Sequence, residues 1–435
     1  MSKLPKNIMV MFGGRSGVFV LLILAGLFSI IYFFVPRLFI EEYDSRSLAT
    51  VVSATSTASS TPISKVIVNT ISVEEQAVEV EHIKAPEQLK AIYMTSWVAG
   101  VKSLRDKLVK IIDDTEINSV VIDIKDYTGM VAFDVDDKIL GDLGTEEIRV
   151  RDMRQFISDL HKKGIYVIGR ISCFQDPQVV KHRPDLAVKR SSDGGVWKDR
   201  KGISWIDADS KEMWDYLVSI GKASYEAGFD ELNFDYIRFP SDGDMKDIAY
   251  PFSGKQIKSL VIRDFLAYLR EKLGNTGAVL SADLFGMTTT NTDDLNIGQV
   301  LEYALYSMDF VYPMVYPSHY PAGFAGYKNP NAVPYEIIKK SMGDAVKRAI
   351  ATSSIFKLPD SEIISVGTST PVLYSKPSWD KNKLRPWLQD FSLSTPAYGV
   401  KEIKDQIKAT YDVGLNSWLL WSASNKYTVG ALGTE

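Results

Sequence analysis

The sequence predicts a (β/α)8 TIM barrel, an α/β fold, and three observations predict it. From Ile92 onward, eight apolar strand-like runs alternate with amphipathic helical ones, the strand count of such a barrel. The runs are apolar at both parities early and gain polar residues late, as parallel strands buried on both faces do. A doubly wound open sheet, the competing architecture, would carry a glycine-rich phosphate loop after an early strand. No such loop follows any early strand here.

Taken in order, the first strand is Ile92–Trp97, followed by a helix over about residues 102–115. Ser119–Asp126 is the second, and its helix over about 151–163 closes on Lys162, Lys163 and Gly164. Ile165–Phe174 is the third, then a long loop and a helix from the Asp209/Ser210 cap to Gly228. Glu231–Phe239 is the fourth, with a helix at about 256–273 ending at Gly274. Val279–Gly286 is the fifth, followed by a short helix near 297–305. Met308–Tyr316 is the sixth, and the helix after it opens with Pro334 in its first turn. Residues 352–383 form an irregular insertion with a strand-like piece of their own, Ile363–Gly367. Leu384–Phe391 is the seventh strand, a helix over about 400–413 ends at Gly414, and Ser417–Ser424 is the eighth.

The barrel is expected to occupy residues 85–435, and the chain before it reads differently. Val18 to Val35 holds eighteen residues without a charge, and with Pro36 to Ile40 the segment can span a hydrocarbon core of about 30 Å. Lys3, Lys6 and Arg15 precede it, whereas Glu41, Glu42 and Asp44 follow. The positive-inside rule therefore predicts a cytoplasmic N-terminus at 1–17, an anchor at 18–40 in the lipid bilayer, and the remainder outside. A cleaved signal peptide is the alternative, but the run is long for one and no small-x-small site follows it closely. Residues 47–64 contain ten Ser or Thr in eighteen, a composition that builds no core, so 41–84 is expected to be a flexible linker.

Composition excludes several function classes. A net charge of −4 argues against a nucleic-acid partner. Cys173 is the only cysteine, which rules out an internal disulfide and thiolate clusters. His82, His161, His182 and His319 are scattered with no HExxH spacing, so neither a metal nor an organic cofactor is implied.

Chemistry in such a barrel belongs at the C-terminal ends of the strands. Same-parity residues near a strand end enter the mouth together. Asn233 and Asp235 share a face of the fourth strand, with Arg238 just beyond, and the fifth offers Asp283. The second pairs Asp123 with Lys125, and the third offers Arg170. Tyr312 and Tyr316 come from the sixth strand, Trp387 and Gln389 from the seventh, and Trp421 from the eighth. Trp197 and Trp205 lie in the long loop after the third. Each has a structural reading too. Asp235 could pair with an arginine, Asp283 could cap a loop, Asp123 and Lys125 could neutralise each other, and the tryptophans could be packing. Two acids on neighbouring strand ends weigh more than either alone, because glycosidic hydrolysis needs one protonated and one ionised carboxyl group.

The runs YMTSWVAG, VVIDIKDYTG, FDYIRFPSDG, ADLFG, YPMVYPSHY, RPWLQDF and SWLLWSASNKY, in that order over about residues 88–430, resemble a bacterial family described as a putative glycosyl hydrolase domain. More distantly, the acids on strands four and five are similar to the alpha-amylase type of barrel, where a strand-four aspartate is the nucleophile and a strand-five glutamate the acid. This chain has Asp283 in place of that glutamate, and Asn233 in place of an arginine. The resemblance implies a glycoside hydrolase, and the outward-facing anchor leads to the reading that it acts on an envelope or extracellular polysaccharide. Asp235 would be nucleophile (or base, if the enzyme inverts) and Asp283 the acid. Arg170, Arg238 and Lys125 would hold the ionised acid and substrate hydroxyls, and Trp197, Trp205, Tyr312 and Trp387 would stack on sugars. A polysaccharide-binding barrel without catalysis and a transglycosylase using the same site are the rival readings.

Overall fold

A computed structural model describes residues 80–135, 143–366 and 371–434. The expected cytoplasmic segment, anchor and most of the linker lie outside the described residues. Among those described, no helix is long and apolar enough to cross a membrane.

Eight parallel strands close into a barrel: β1 (Lys90–Met94), β2 (Ser119–Lys125), β3 (Tyr166–Ser172), β4 (Glu231–Asp235), β5 (Val279–Phe285), β6 (Phe310–Met314), β10 (Trp387–Gln389) and β11 (Trp418–Trp421). β1 closes the ring by pairing with both β2 and β11. The other three strands, β7 (Ser353–Ser354), β8 (Ile363–Ser365) and β9 (Leu373–Ser375), form a small antiparallel sheet within the insertion. Alternation along the strands divides the core in two. Ile92, Val120, Val167, Leu232, Leu280, Val311 and Leu420 face the surrounding helices. Ala91, Tyr93, Val121, Ile168, Tyr312, Trp387 and Leu419 fill the barrel. Both sets are withdrawn from water, which is why the strands read as apolar at either parity.

Local chemistry sets the helix ends. Ser210 accepts from the amide of Met213 to open Lys211–Ala227, and Gly228, at φ 115°, closes it in a left-handed conformation. Pro334 stands in the first turn of Pro334–Ile350. The expected first strand is displaced. β1 ends at Met94, and Thr95 caps the short helix Ser96–Ala99, on which Trp97 is exposed.

At the N-terminal face of the barrel Asp230 gathers three elements. It accepts from the amides of Ile83 (2.8 Å) and Val167 (2.9 Å) and is hydrogen-bonded to His161 (2.8 Å). His82 stacks on Tyr225, so contacts with the barrel begin upstream of Ala85. Just inside, buried Glu231 accepts from Tyr166 (3.1 Å) and Tyr312 and lies 3.5 Å from Arg385. Those contacts satisfy the Glu231 carboxyl in the lower barrel.

Gly169 on β3 lies where Ile124 and Phe229 press on the strand: a Cβ there would meet Ile124 Cδ1 at 2.1 Å and Phe229 Cδ1 at 2.9 Å. Gly169→Ala is therefore expected to destabilise the chain by about 1–3 kcal/mol, read from its denaturant midpoint. An unchanged midpoint would show that the two side chains give way.

Candidate active site

β4 stops at Asp235 because the backbone turns there. Tyr236 has φ 52°, unusual for a residue with a large side chain, and its amide donates back to Asp235 Oδ1 at 2.5 Å. The turn fixes the carboxylate at the end of the strand.

Arg170 on β3 is the hub. It sits in register with Asp123 of β2 on one side and Asn233 of β4 on the other. Its Nη1 donates to Asp123 Oδ1 at 2.7 Å, while Nε and Nη2 donate to Asp235 Oδ2 at 3.1 and 2.5 Å. The same Nε lies 3.8 Å from Asp283 Oδ2. Tyr93 donates to the other oxygen of Asp123 at 2.5 Å and stacks on Trp421 at 4.0 Å. Arg170 lies over the Trp421 ring, 5.0 Å from its centre. One guanidinium thus meets three carboxyl groups.

Asp283 is 1 % exposed, and its Oδ1 accepts from Trp387 Nε1 (2.9 Å) and Asn233 Nδ2 (3.0 Å). Burial and the neighbouring charge of Asp235 push its carboxyl well above the ordinary range, with Arg170 opposing them. Burial also raises Asp123, against the pull of Arg170 and Tyr93. Phe234 pairs with Ala282, so Asp235 and Asp283 are the next residues along adjacent strands, and their Oδ2 atoms lie 3.1 and 3.8 Å from the same Arg170 Nε.

Above this cluster a cavity of about 430 Å³ opens at the C-terminal ends of the strands. Arg170, Asp235, Arg238, Tyr316 and Trp421 line it, and so do several residues that sequence reasoning missed: Lys201, Tyr236, Phe285, Met314, His319 and Tyr320. Burial lowers the imidazole of His319. Tyr316 feels both aspartates: burial first, then the charges of Asp283 and Asp235, raise its hydroxyl well above the phenol range. Parity with Asp123 could have found Tyr93, but the expected first strand was displaced toward Trp97. The turn at Tyr236 carries no sequence signal.

Other expected residues lie elsewhere. Lys125 does not face Asp123: its ammonium binds Asp176 (2.8 Å) and the Ser172 carbonyl (2.6 Å), because the β2–β3 register shifts between Asp123 and Lys125. Trp197 and Trp205 are packed within the loop, their indole N–H groups donating to the Asp244 carbonyl and to Asp199, so neither offers a face to a sugar. Tyr312 lies too deep and turns its hydroxyl to Glu231. Trp387 is fully buried and holds Asp283. Gln389 ties loops together, accepting from the Ser318 amide and donating to the Phe391 carbonyl. Asn233, also buried, serves Asp283 and Ser281. Asp283 itself contributes no surface to the cavity and lies just under its floor.

Residues 91–427 match the model of a family described as "Putative glycosyl hydrolase domain". Among solved structures, the PgaB (BpsB) glycoside hydrolase domain from Bordetella bronchiseptica is similar with a TM-score of 0.55 at 11% identity, covering 78% of this chain and 94% of that one. That likeness shows a common fold. A hypothetical protein from Ruminiclostridium thermocellum ATCC 27405 is 38% identical, covering 44% of this chain and 96% of its own, with a TM-score of 0.41. A chitinase from Chromobacterium violaceum ATCC 12472 gives a TM-score of 0.43 at 12% identity, covering 79% and 96%. No curated protein matches the chain.

The raised carboxyl of Asp283 has a consequence for stability. Its folded pKa lies above the unfolded value of about 3.9, so between the two the unfolded chain binds fewer protons. Stability must then fall as pH rises through that window, by about 1.4 kcal/mol per pH unit for one proton. Asp283→Asn keeps an acceptor for Trp387 and Asn233 and removes the proton. Denaturation of parent and variant from about pH 4 to 8 should show a shallower decline in the variant and greater stability near neutrality. Parallel curves would mean that Asp283 does not hold its proton.

Proposed function

This chain belongs to the putative glycosyl hydrolase domain family, and from that premise we propose that it cleaves glycosidic bonds of an envelope or extracellular polysaccharide with retention of configuration. The observation that carries the reading is the contrast between two adjacent aspartates under one cavity. Asp235 lines it and is ion-paired with Arg170, whereas Asp283 is buried and pushed toward its neutral form.

In this mechanism Asp235 attacks the anomeric carbon, the bond to the leaving oxygen breaks, and a glycosyl–enzyme ester forms. The proton that the leaving oxygen takes starts on Asp283. Tyr316, the cavity-lining hydroxyl influenced by both aspartates, hands it on. Water then attacks the ester and returns a proton along the same route. Arg170 holds Asp235 in line throughout, and Tyr93 and Asn233 fix the carboxyl groups around it.

We also propose that residues 18–40 anchor the chain with its barrel outside the cell. The uncharged run and the charge asymmetry around it support this. The full chain should stay with membranes through alkaline extraction, and external protease should digest the barrel region in intact spheroplasts. Extraction into the soluble fraction, or full protection, would refute the topology.

The activity is tested with the full-length chain and a panel of bacterial surface polysaccharides, read as new reducing ends. Asp235→Asn should lower release by about 10⁴-fold or more. Asp283→Asn should lower it by about 10²–10⁴-fold, and a substrate whose leaving group needs no proton should restore only this second variant. Equal release by parent and Asp235→Asn would mean that Asp235 is structural.

A further inference from the structure

Arg238 stands in the cavity wall without a carboxylate partner among the described residues. Its Nη1 donates to the Phe239 carbonyl (3.2 Å) and the Ser241 hydroxyl (3.1 Å), both neutral. Its guanidinium carbon lies 4.7 Å from the ring centre of Trp205, 4.9 Å from Phe285 and 5.6 Å from Tyr236. Rings on several sides fix the plane of the group and cover part of it.

None of the acids whose charge reaches Arg238 bonds to it directly. Asp235 is held by Arg170 and the Tyr236 amide. Asp199 accepts from Trp205 Nε1 (3.1 Å) and from the amides of Lys201 and Ile203 (both 2.9 Å). Asp242 acts only through space, and burial lowers the affinity of Arg238 for its proton despite them all. Lys201 lines the same cavity and forms no ion pair among the described residues. Arg170 lines it too, but its charge is spent on the carboxyl cluster. The wall therefore presents two cations, Arg238 and Lys201, to which no carboxylate bonds directly among the described residues.

A half-buried cation with only neutral acceptors is left without a counter-charge in contact, and an incoming anion supplies one. We propose that this wall is a subsite for an anionic substituent on the glycan (a carboxylate, sulfate or phosphate), with Arg238 as its forked contact and Lys201 as the second charge. The substrate is then an acidic polysaccharide. This rests on the reading of the cavity as a glycan site, and binding and cleavage are measured separately for that reason.

Binding is measured by calorimetry on the full-length chain carrying Asp235→Asn, so that nothing is cut. The probes are matched pairs: oligogalacturonate and its carboxyl-reduced form, chondroitin sulfate oligosaccharide and its desulfated form, and a phosphate-bearing mannan oligosaccharide and its dephosphorylated form. At least one acidic probe should bind about tenfold or more tightly than its neutral twin, and the pair concerned identifies the anion. Adding Arg238→Gln should abolish that preference, and Arg238→Lys should keep part of it. The proposal is overturned if no acidic probe is preferred, or if the preference survives Arg238→Gln. It is also overturned if both substitutions weaken acidic and neutral probes equally, because Arg238 would then be packing. Acid preference without release of reducing ends by the parent chain would uphold the subsite and remove the hydrolase reading. Release of reducing ends without acid preference would do the reverse.

Discussion

One guanidinium facing three carboxyl groups is the constraint around which the upper barrel is built. Arg170 bonds Asp123 and Asp235 directly and lies 3.8 Å from Asp283. A single positive charge cannot compensate three buried negative ones, since each unpaired carboxylate would carry a large desolvation penalty. Asp235 receives two guanidinium N–H bonds and a backbone amide. Asp283 is bonded only by an indole and an amide, which oppose its protonation less than burial and the charge of Asp235 favour it. Burial and the charge of Asp235 thereby push the Asp283 carboxyl well above its ordinary range, the property that the proposed general acid needs.

The barrel supplies what the cluster needs. Asp123, Arg170, Asp235 and Asp283 come from β2, β3, β4 and β5, consecutive in the ring, so their side chains enter from one side at comparable height. Tyr93 and Trp421 complete the ring from β1 and β11, stacked on each other with Arg170 against them. The lower barrel has its own charge pair, Glu231 with Arg385, separated from the upper cluster by the layer that holds Val121, Ile168 and Tyr312. The candidate site lies at the end where the strands stop and the loops begin.

The strand–helix alternation and the place of Asp235 were legible because burial periodicity and strand ends are properties of short windows. Gly228 and Pro334 marked helix boundaries for the same local reason. Depth was not legible. Tyr312 and Trp387 share parity with residues at the mouth, yet Tyr312 reaches down to Glu231, Trp387 is fully buried at the first residue of β10, and Gln389 is taken up by loop backbone. Lys125 was misassigned by one register shift, which no local pattern announces. Trp197 and Trp205 left the cavity because the long loop folds on itself, and the basic wall that Trp205 supports depends on that long-range packing.

The raised Asp283 carboxyl leads to one expectation that needs no substrate: at neutral pH it should be a carboxylic acid beside an ion-paired Asp235. An infrared difference spectrum between the full-length chain and Asp283→Asn at neutral pH tests it directly. The account predicts that the substitution removes a protonated-carboxyl band. Loss of a carboxylate band instead would show Asp283 ionised and would contradict the division of roles between the two aspartates.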